Sequence, residues 1–247
     1  MNNKIWVTGD FGSMAITPPV DFLEPTDRDG LVLGLYDTPK RGLFRKKTVQ
    51  RSFTLSTTEI LQHVAVYAEV GTGVNGWLMD KAYQAMRFDW AVLYMDFMWS
   101  QGEMNKWVAM AKTAACIASN NDLAEMLTGN KTAYVRADNA TVPALARIVS
   151  NIMAMANDQR PTNTLIILNG MPEDDASMEA VTKMVAQCRA AKIGLVLRFQ
   201  ERKETDYQAM LDANVRTTVE FPRSSRSLGV CSIFPPCDTL GFKKLDK

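Results

Sequence analysis

Four short apolar runs constrain the fold of this chain more than any other feature: Val64-Ala65-Val66-Tyr67, Ala91-Val92-Leu93-Tyr94-Met95, Thr164-Leu165-Ile166-Ile167-Leu168 and Ile193-Gly194-Leu195-Val196-Leu197. Runs of this length, apolar without alternation, fit strands buried on both faces. Stretches of helical periodicity separate them. Parallel strands cannot be joined by a tight hairpin, so strand–helix alternation implies right-handed crossovers and a mostly parallel central sheet with helices on both faces. The expected class is α/β.

Ahead of this pattern, Lys4-Ile5-Trp6-Val7, Leu31-Val32-Leu33-Gly34-Leu35-Tyr36 and Arg51-Ser52-Phe53-Thr54-Leu55 read as strands, a small N-terminal β appendage. Between the last two lies a basic hairpin tip containing Arg41, Arg45, Lys46 and Lys47, a candidate contact for phosphate or an acidic partner. Further strands are expected at Thr132-Ala133-Tyr134-Val135 and over 215–220, and helices from 76 onward, over 103–119, 142–157 and 206–213, and from Asp174 to about 190. Pro143 suits a first helical turn, and Glu173, Asp174 and Asp175 suit a helix N-terminus better than a metal cluster. One domain over 1–221 and an irregular tail over 222–247 are expected.

Composition removes several function classes. Twenty-eight basic and 27 acidic residues leave a net charge of +1, so no global field drives the chain onto nucleic acid or an anionic membrane. Four scattered cysteines and a single histidine, His63, make no zinc pattern, and no metal is expected. No apolar run approaches the roughly 18 residues of a membrane span, and the N-terminus lacks a signal peptide's apolar region. A cytoplasmic protein is expected.

The functional question sits at Ala68-Glu69-Val70-Gly71-Thr72-Gly73-Val74-Asn75, between the first of the four runs and a helix. A phosphate-binding loop in that place reads G-x-x-x-x-G-K-[ST]: backbone N–H groups cradle phosphates, the Lys reaches the terminal ones, and the hydroxyl holds Mg²⁺. Here Ala68 stands for the first Gly, Val74 for the Lys and Asn75 for the hydroxyl.

The order of elements over roughly 30–221 resembles the nucleotide-binding domain of RecA-like translocating ATPases of the HerA–FtsK superfamily, most closely the coupling ATPases of conjugative type IV secretion. The resemblance rests on His63-Val64-Ala65-Val66 before the loop, Asp96 after the next strand, and 165–168 followed by Arg189, the 193–197 strand and Gln200. It implies a P-loop fold, with Arg189 and Gln200 in an interface or sensing role. The family's second signature is an apolar strand ending in Asp-Glu, which holds the metal and polarises the attacking water; this chain has Asn169-Gly170. The Lys, the hydroxyl and both carboxylates are thus absent together. Phosphoryl transfer depends on such electrostatic positioning, and loss of a single donor of this type costs on the order of a hundredfold.

The expectation is a pseudo-ATPase with no cofactor, which binds and regulates a conjugative coupling ATPase, as a plasmid fertility-inhibition factor would. Trp77 and Trp99, close to the altered loop in sequence, are candidate interface residues. A divergent DNA translocase or packaging ATPase, and a DNA-binding plasmid regulator, stand as alternatives.

Overall fold

A computed structural model describes residues 4–10, 12–18, 30–40, 47–111, 116–117, 120–155, 163–202 and 205–221. In chain order the elements are β1 (Ile5–Gly9), β2 (Gly12–Ile16), β3 (Gly30–Lys40), β4 (Lys47–Ser56), α1 (Thr57–Ile60), β5 (Val64–Tyr67), α2 (Val74–Arg87), β6 (Ala91–Asp96), α3 (Gln101–Ala111), β7 (Cys116–Ile117), α4 (Asn120–Thr128), β8 (Ala133–Arg136), α5 (Thr141–Ala154), β9 (Thr164–Asn169), α6 (Asp175–Cys188), β10 (Ile193–Phe199), α7 (Asp206–Asn214) and β11 (Thr217–Glu220). A 3-10 turn at Arg189–Ala191 links α6 to β10.

Nine strands form one sheet in the order β2-β1-β11-β5-β10-β9-β6-β8-β7. From β11 to β7 every neighbouring pair is parallel, while β1 runs antiparallel to both β11 and β2. The sheet is buried on both faces, as continuous apolar strands require. Leu165 and Ile167 of β9 point to one core, with Tyr94, Trp77 and Trp107, whereas Ile166 and Leu168 point to the other, with Leu145, Val181 and Leu195. Helix α2 and residues of α3 cover the first face, and α4, α5, α6 and α7 supply the second.

The N-terminal strands divide their work. β1 and β2 extend the main sheet, whereas β3 and β4 form a separate two-stranded ribbon with a register shift between Val32 and Gly34. The ribbon is fastened to α2 through backbone groups of β3. Gln84 accepts from Val32 N at 2.7 Å through Oε1 and donates to Val32 O at 3.1 Å through Nε2, Trp77 Nε1 donates to Leu33 O at 2.8 Å, and buried Lys81 donates to Val32 O.

The helix expected over 103–119 ends at Ala111, and Cys116–Ile117 instead forms β7, giving β8 a parallel neighbour on its outer side. Helix α4 follows, and its buried Leu123 and Leu127, one turn apart, seat it on the core. Asp174 caps α6 by accepting from Ser177 N at 3.0 Å. His63 lies 1% exposed at the start of β5, with Nδ1 accepting from Leu195 N at 3.2 Å and Nε2 donating to Val185 O at 3.0 Å. No described helix is long and apolar enough to cross a membrane.

Candidate functional site

Because β5, β10, β9 and β6 are adjacent and parallel, their carboxyl ends and the loops that follow meet at one edge of the sheet. The altered loop leaves β5 there. Ala68 N donates to Phe199 O at 3.0 Å, tying the loop's first residue to the end of β10. Thr72 Oγ1 donates to Glu69 O at 2.8 Å and closes the turn. Gly73, the N-cap of α2, adopts φ +85°, a left-handed conformation that suits glycine, and no side chain caps the helix. Val74, where a phosphate-binding Lys would stand, is buried at 2% exposure, and Val70 projects into solvent.

Asn169 ends β9 two strands away, and Gly170 follows it. Gly170 has φ +72°, and a Cβ at this position would lie 2.6 Å from Met98 Cγ. An acidic residue at 170 would therefore be strained by backbone conformation and blocked by Met98. Asn169 is fully buried.

Between these two loops runs β10, and its Arg198 is the residue that joins them. The side chain is 1% exposed, and its Nη1 donates to Asn75 Oδ1 at 3.0 Å and to Asn169 Oδ1 at 2.8 Å, with Met98 Sδ at 3.2 Å. Nη2 reaches Ala68 O at 3.5 Å. One guanidinium thus contacts the residue at the place of the first loop glycine, the residue at the place of the metal-binding hydroxyl, and the residue at the place of the metal-linked Asp.

The network continues across the sheet. Asn169 Nδ2 donates to Asp96 Oδ1 at 3.1 Å, Met98 N donates to the same oxygen at 3.0 Å, and the Tyr134 hydroxyl donates to Asp96 Oδ2. The Asn169 amide therefore turns its oxygen to a cation and its nitrogen to a carboxylate, an orientation set by the two charges. A carboxylate at 169 would suit Arg198 but face Asp96 at hydrogen-bond distance, so the amide is the group that bridges both. Burial pushes the Asp96 carboxyl above its ordinary value, against the hydrogen bonds from Tyr134, Met98 and Asn169. Burial pulls the Arg198 guanidinium down, opposed by Tyr94 and Asp96.

The oxygens at the centre of this arrangement are engaged within the chain. Mg²⁺ takes oxygen ligands in octahedral geometry and keeps several waters, whereas the central oxygens here, from Asn75, Asn169 and Asp96, already accept protein donors. Among the described residues, no group of three or more His, Cys, Asp or Glu side chains could hold a metal ion.

The structure separates the sequence-derived candidates. Ala68, Asn75 and Asn169 meet at Arg198, and Gly71, Thr72, Gly73, Val74 and Gly170 complete the two loops around it. Trp77 is not a surface residue: it is 4% exposed, bonded to Leu33 O and edge-on to Phe221 with centroids 5.8 Å apart. Its position one turn into α2 turns it toward the ribbon. Trp99 is half-buried beneath the Arg136 guanidinium, 4.3 Å from its ring centroid. Arg189 is exposed at the amino end of β10, the sheet edge opposite the site, while Gln200 is exposed just beyond its carboxyl end, with its N–H donating to Glu173 Oε1 at 3.2 Å. Lys47 begins β4, and Arg41, Arg45 and Lys46 lie outside the described residues.

Arg198 itself is absent from the sequence-derived set. The apolar run ends at Leu197 in the sequence, yet Val196 and Arg198 share a face with Tyr94 and Asn169; a charged residue inside strand periodicity, two before Gln200, is the available signal.

No protein-family model matches the sequence, and no curated protein matches it. Among solved structures, the chain is similar to the conjugation coupling protein TcpA of pCW3 in its monomer form with ATPgS, at 11% identity and TM-score 0.48, over 82% of this chain and 59% of that one. It is similar to ATPases 2 and 3 of EssC from Geobacillus thermodenitrificans, at 9% identity and TM-score 0.48, over 83% and 39% of the two chains. The genome packaging NTPase B204 from Sulfolobus turreted icosahedral virus 2 is similar at 11% identity and TM-score 0.37, over 64% of this chain and 83% of that one. The chain thus spans less than two thirds of the length of the first two.

Proposed function

We propose that this chain is a pseudo-ATPase of the coupling-ATPase type that works by binding a conjugative coupling ATPase and restraining it, in the manner of a plasmid fertility-inhibition factor. The observation that carries the catalytic half of this reading is Arg198, buried between Asn75 and Asn169. A nucleotide-hydrolysing site of this kind presents a loop Lys to the phosphates and gains Mg²⁺ with the nucleotide. Here the buried Arg198 guanidinium instead bonds to residues of both loops. A tie of this kind between the loops suits a protein that acts by shape.

The partner half of the reading rests on the order and spacing of elements that resemble coupling ATPases. A chain with a motor subunit's outline and no turnover can occupy a place in the motor's assembly or cover its substrate path. The test is a pull-down of the purified chain against coupling ATPases of conjugation systems, followed by mating assays in cells expressing it. Retention of a coupling ATPase together with reduced plasmid transfer supports the proposal. Failure to retain any of them, or transfer unchanged by expression, sinks it.

A further inference from the structure

Among the described residues β4 pairs with β3 alone, so its other edge is open along a strand of ten residues, about twice the usual length. Two anchors on β3 fix which backbone groups of β4 face outward. Leu35 N donates to Thr17 O at 2.9 Å and Leu35 O accepts from Thr17 N at 2.8 Å, while Val32 N and O bond to the Gln84 amide. Both residues thus turn their polar backbone groups away from β4. Their partners across the ribbon are Ser52 and Thr54, which therefore stand in non-hydrogen-bonded pairs of the antiparallel ladder. The extra residue of the register shift lies in β3, so β4 keeps its alternation, and Gln50 and Thr48 join the set. The N–H and C=O groups of Thr48, Gln50, Ser52 and Thr54 point off the open edge as a regular ladder. It stops at Ser56, whose N–H donates to Glu59 Oε2 at 2.7 Å.

Edge strands are commonly blunted by shortness, a proline, a bulge or charge. Residues 47–56 contain no Pro or Gly, and the register shift belongs to the other strand, so charge is the guard that remains. Charge also selects the partner. From 40 to 58 the sequence carries Lys40, Arg41, Arg45, Lys46, Lys47 and Arg51 and no carboxylate. A second copy paired edge to edge would bring this set against itself. Residues 19–29 of the chain are acidic, but Thr17 sits on the far side of β3 and Gly30 opens β3, so both ends of that stretch are anchored on β3 and not beyond β4. A nucleic acid meets the cations but has no row of N–H donors for the outward carbonyls.

We propose that β4 takes an added strand from a protein partner, an extended segment with a carboxylate opposite Arg51. Arg51 shares a ribbon face with Val49 and Phe53, since strand side chains alternate, and Thr48, Gln50 and Ser52 are exposed on the other. The segment that fits carries apolar residues opposite Val49 and Phe53 and small polar residues between them. Backbone pairing supplies the attachment, and Arg51 the sign of charge. The edge belongs to the ribbon and not to the Arg198 site, so the proposal stands whether or not the partner is a coupling ATPase.

The test titrates the ¹⁵N-labelled full chain with the capped peptide Thr-Val-Thr-Glu-Thr-Val-Thr, which reads the same in both directions, and with a counterpart holding Lys in place of Glu. NMR reads solvent exchange at each β4 amide. The acidic peptide is expected to slow exchange at Thr48, Gln50, Ser52 and Thr54 and to leave Val49, Arg51 and Phe53 unchanged. The Lys peptide is expected to bind about fivefold more weakly, the range of a cross-strand charge pair, and Arg51→Glu to reverse that order. No slowing, slowing without alternation, or an order unchanged in Arg51→Glu overturns the proposal. Slow exchange in the free chain overturns it too, assigning the edge to a second copy where dilution abolishes the slowing and to the chain's own residues where it does not. Duplex DNA that slows these amides where the acidic peptide fails also overturns it.

Discussion

Replacing Arg198 with Met removes the guanidinium while keeping an unbranched apolar stem in the same space. The lost contacts are the bonds to Asn75 Oδ1 at 3.0 Å and Asn169 Oδ1 at 2.8 Å, plus the longer reach to Ala68 O. A hydrogen bond to a charged group nets about 1.5–3 kcal/mol, so two amount to roughly 3–6 kcal/mol. Against this, Arg198 no longer has to be desolvated in the folded state, which returns a few kcal/mol. The change also leaves two buried amide oxygens unmet and Asp96 without the nearby cation. The balance is a loss of about 3 kcal/mol. For a domain of this size, with a urea m-value of about 3 kcal/mol/M, that moves the unfolding midpoint down by about 1 M. Arg198→Lys keeps the charge but not the planar fork, and is expected to fall between the two. Urea melts followed by tryptophan fluorescence measure all three. A midpoint shift for Arg198→Met below about 0.2 M, the range of a substitution at an ordinary surface site, would refute the placement of this guanidinium at the centre of the site.

Three further outcomes follow from the geometry. Burial, opposed by the bond to Val185 and aided by Arg189, holds His63 down at about 4. A depressed histidine stabilises the fold above its unfolded value near 6.5, and that contribution is lost as pH falls from about 6.5 to 4; the difference is roughly 3 kcal/mol, and a His63→Gln variant should lack this part of the pH profile. Lys81→Met should cost about 3 kcal/mol, because it takes the buried ammonium from Asp80 and Val32, and adding Asp80→Leu should recover most of the loss, a pattern that thermal melts of the single and double variants will display or deny. Gly170→Ala, forced into φ +72° against Met98, should cost about 2 kcal/mol, while the same change in a Met98→Ala background should cost about 1, the backbone share alone.

Most of the central sheet was legible because its strands are buried on both faces and so carry unbroken apolar runs. β5, β6, β9 and β10 fall on the four runs to within a residue or two at their ends. The elements that escaped are those with little apolar signal or with a signal spoiled by neighbours. Gly12-Ser13-Met14-Ala15-Ile16 offers only Met14 and Ile16 to the core, and it forms β2 because β1 presents an edge to pair with. Helix α4 rests on Leu123 and Leu127, too few for periodicity to stand out, and the short β7 was absorbed into a longer helix. The two loops of the site were legible as departures from a motif, residue by residue. Their union was not, since it depends on Arg198, whose role follows from strand order: only a strand lying between β5 and β9 can place one side chain against both Asn75 and Asn169. Trp77 misled for a related reason. Sequence proximity to the loop suggested a surface, whereas helical phase turns the ring into the interface with β3.

The central proposal is that the Arg198 guanidinium, held between Asn75 and Asn169, stands in place of Mg-ATP, and that the protein therefore neither binds nor turns over nucleotide. Calorimetric titration of the full chain with Mg-ATP, paired with phosphate release in the presence and absence of DNA, tests it most directly. The account predicts no saturable heat at millimolar nucleotide and no release above the uncatalysed background. Saturable binding with DNA-stimulated release would contradict it.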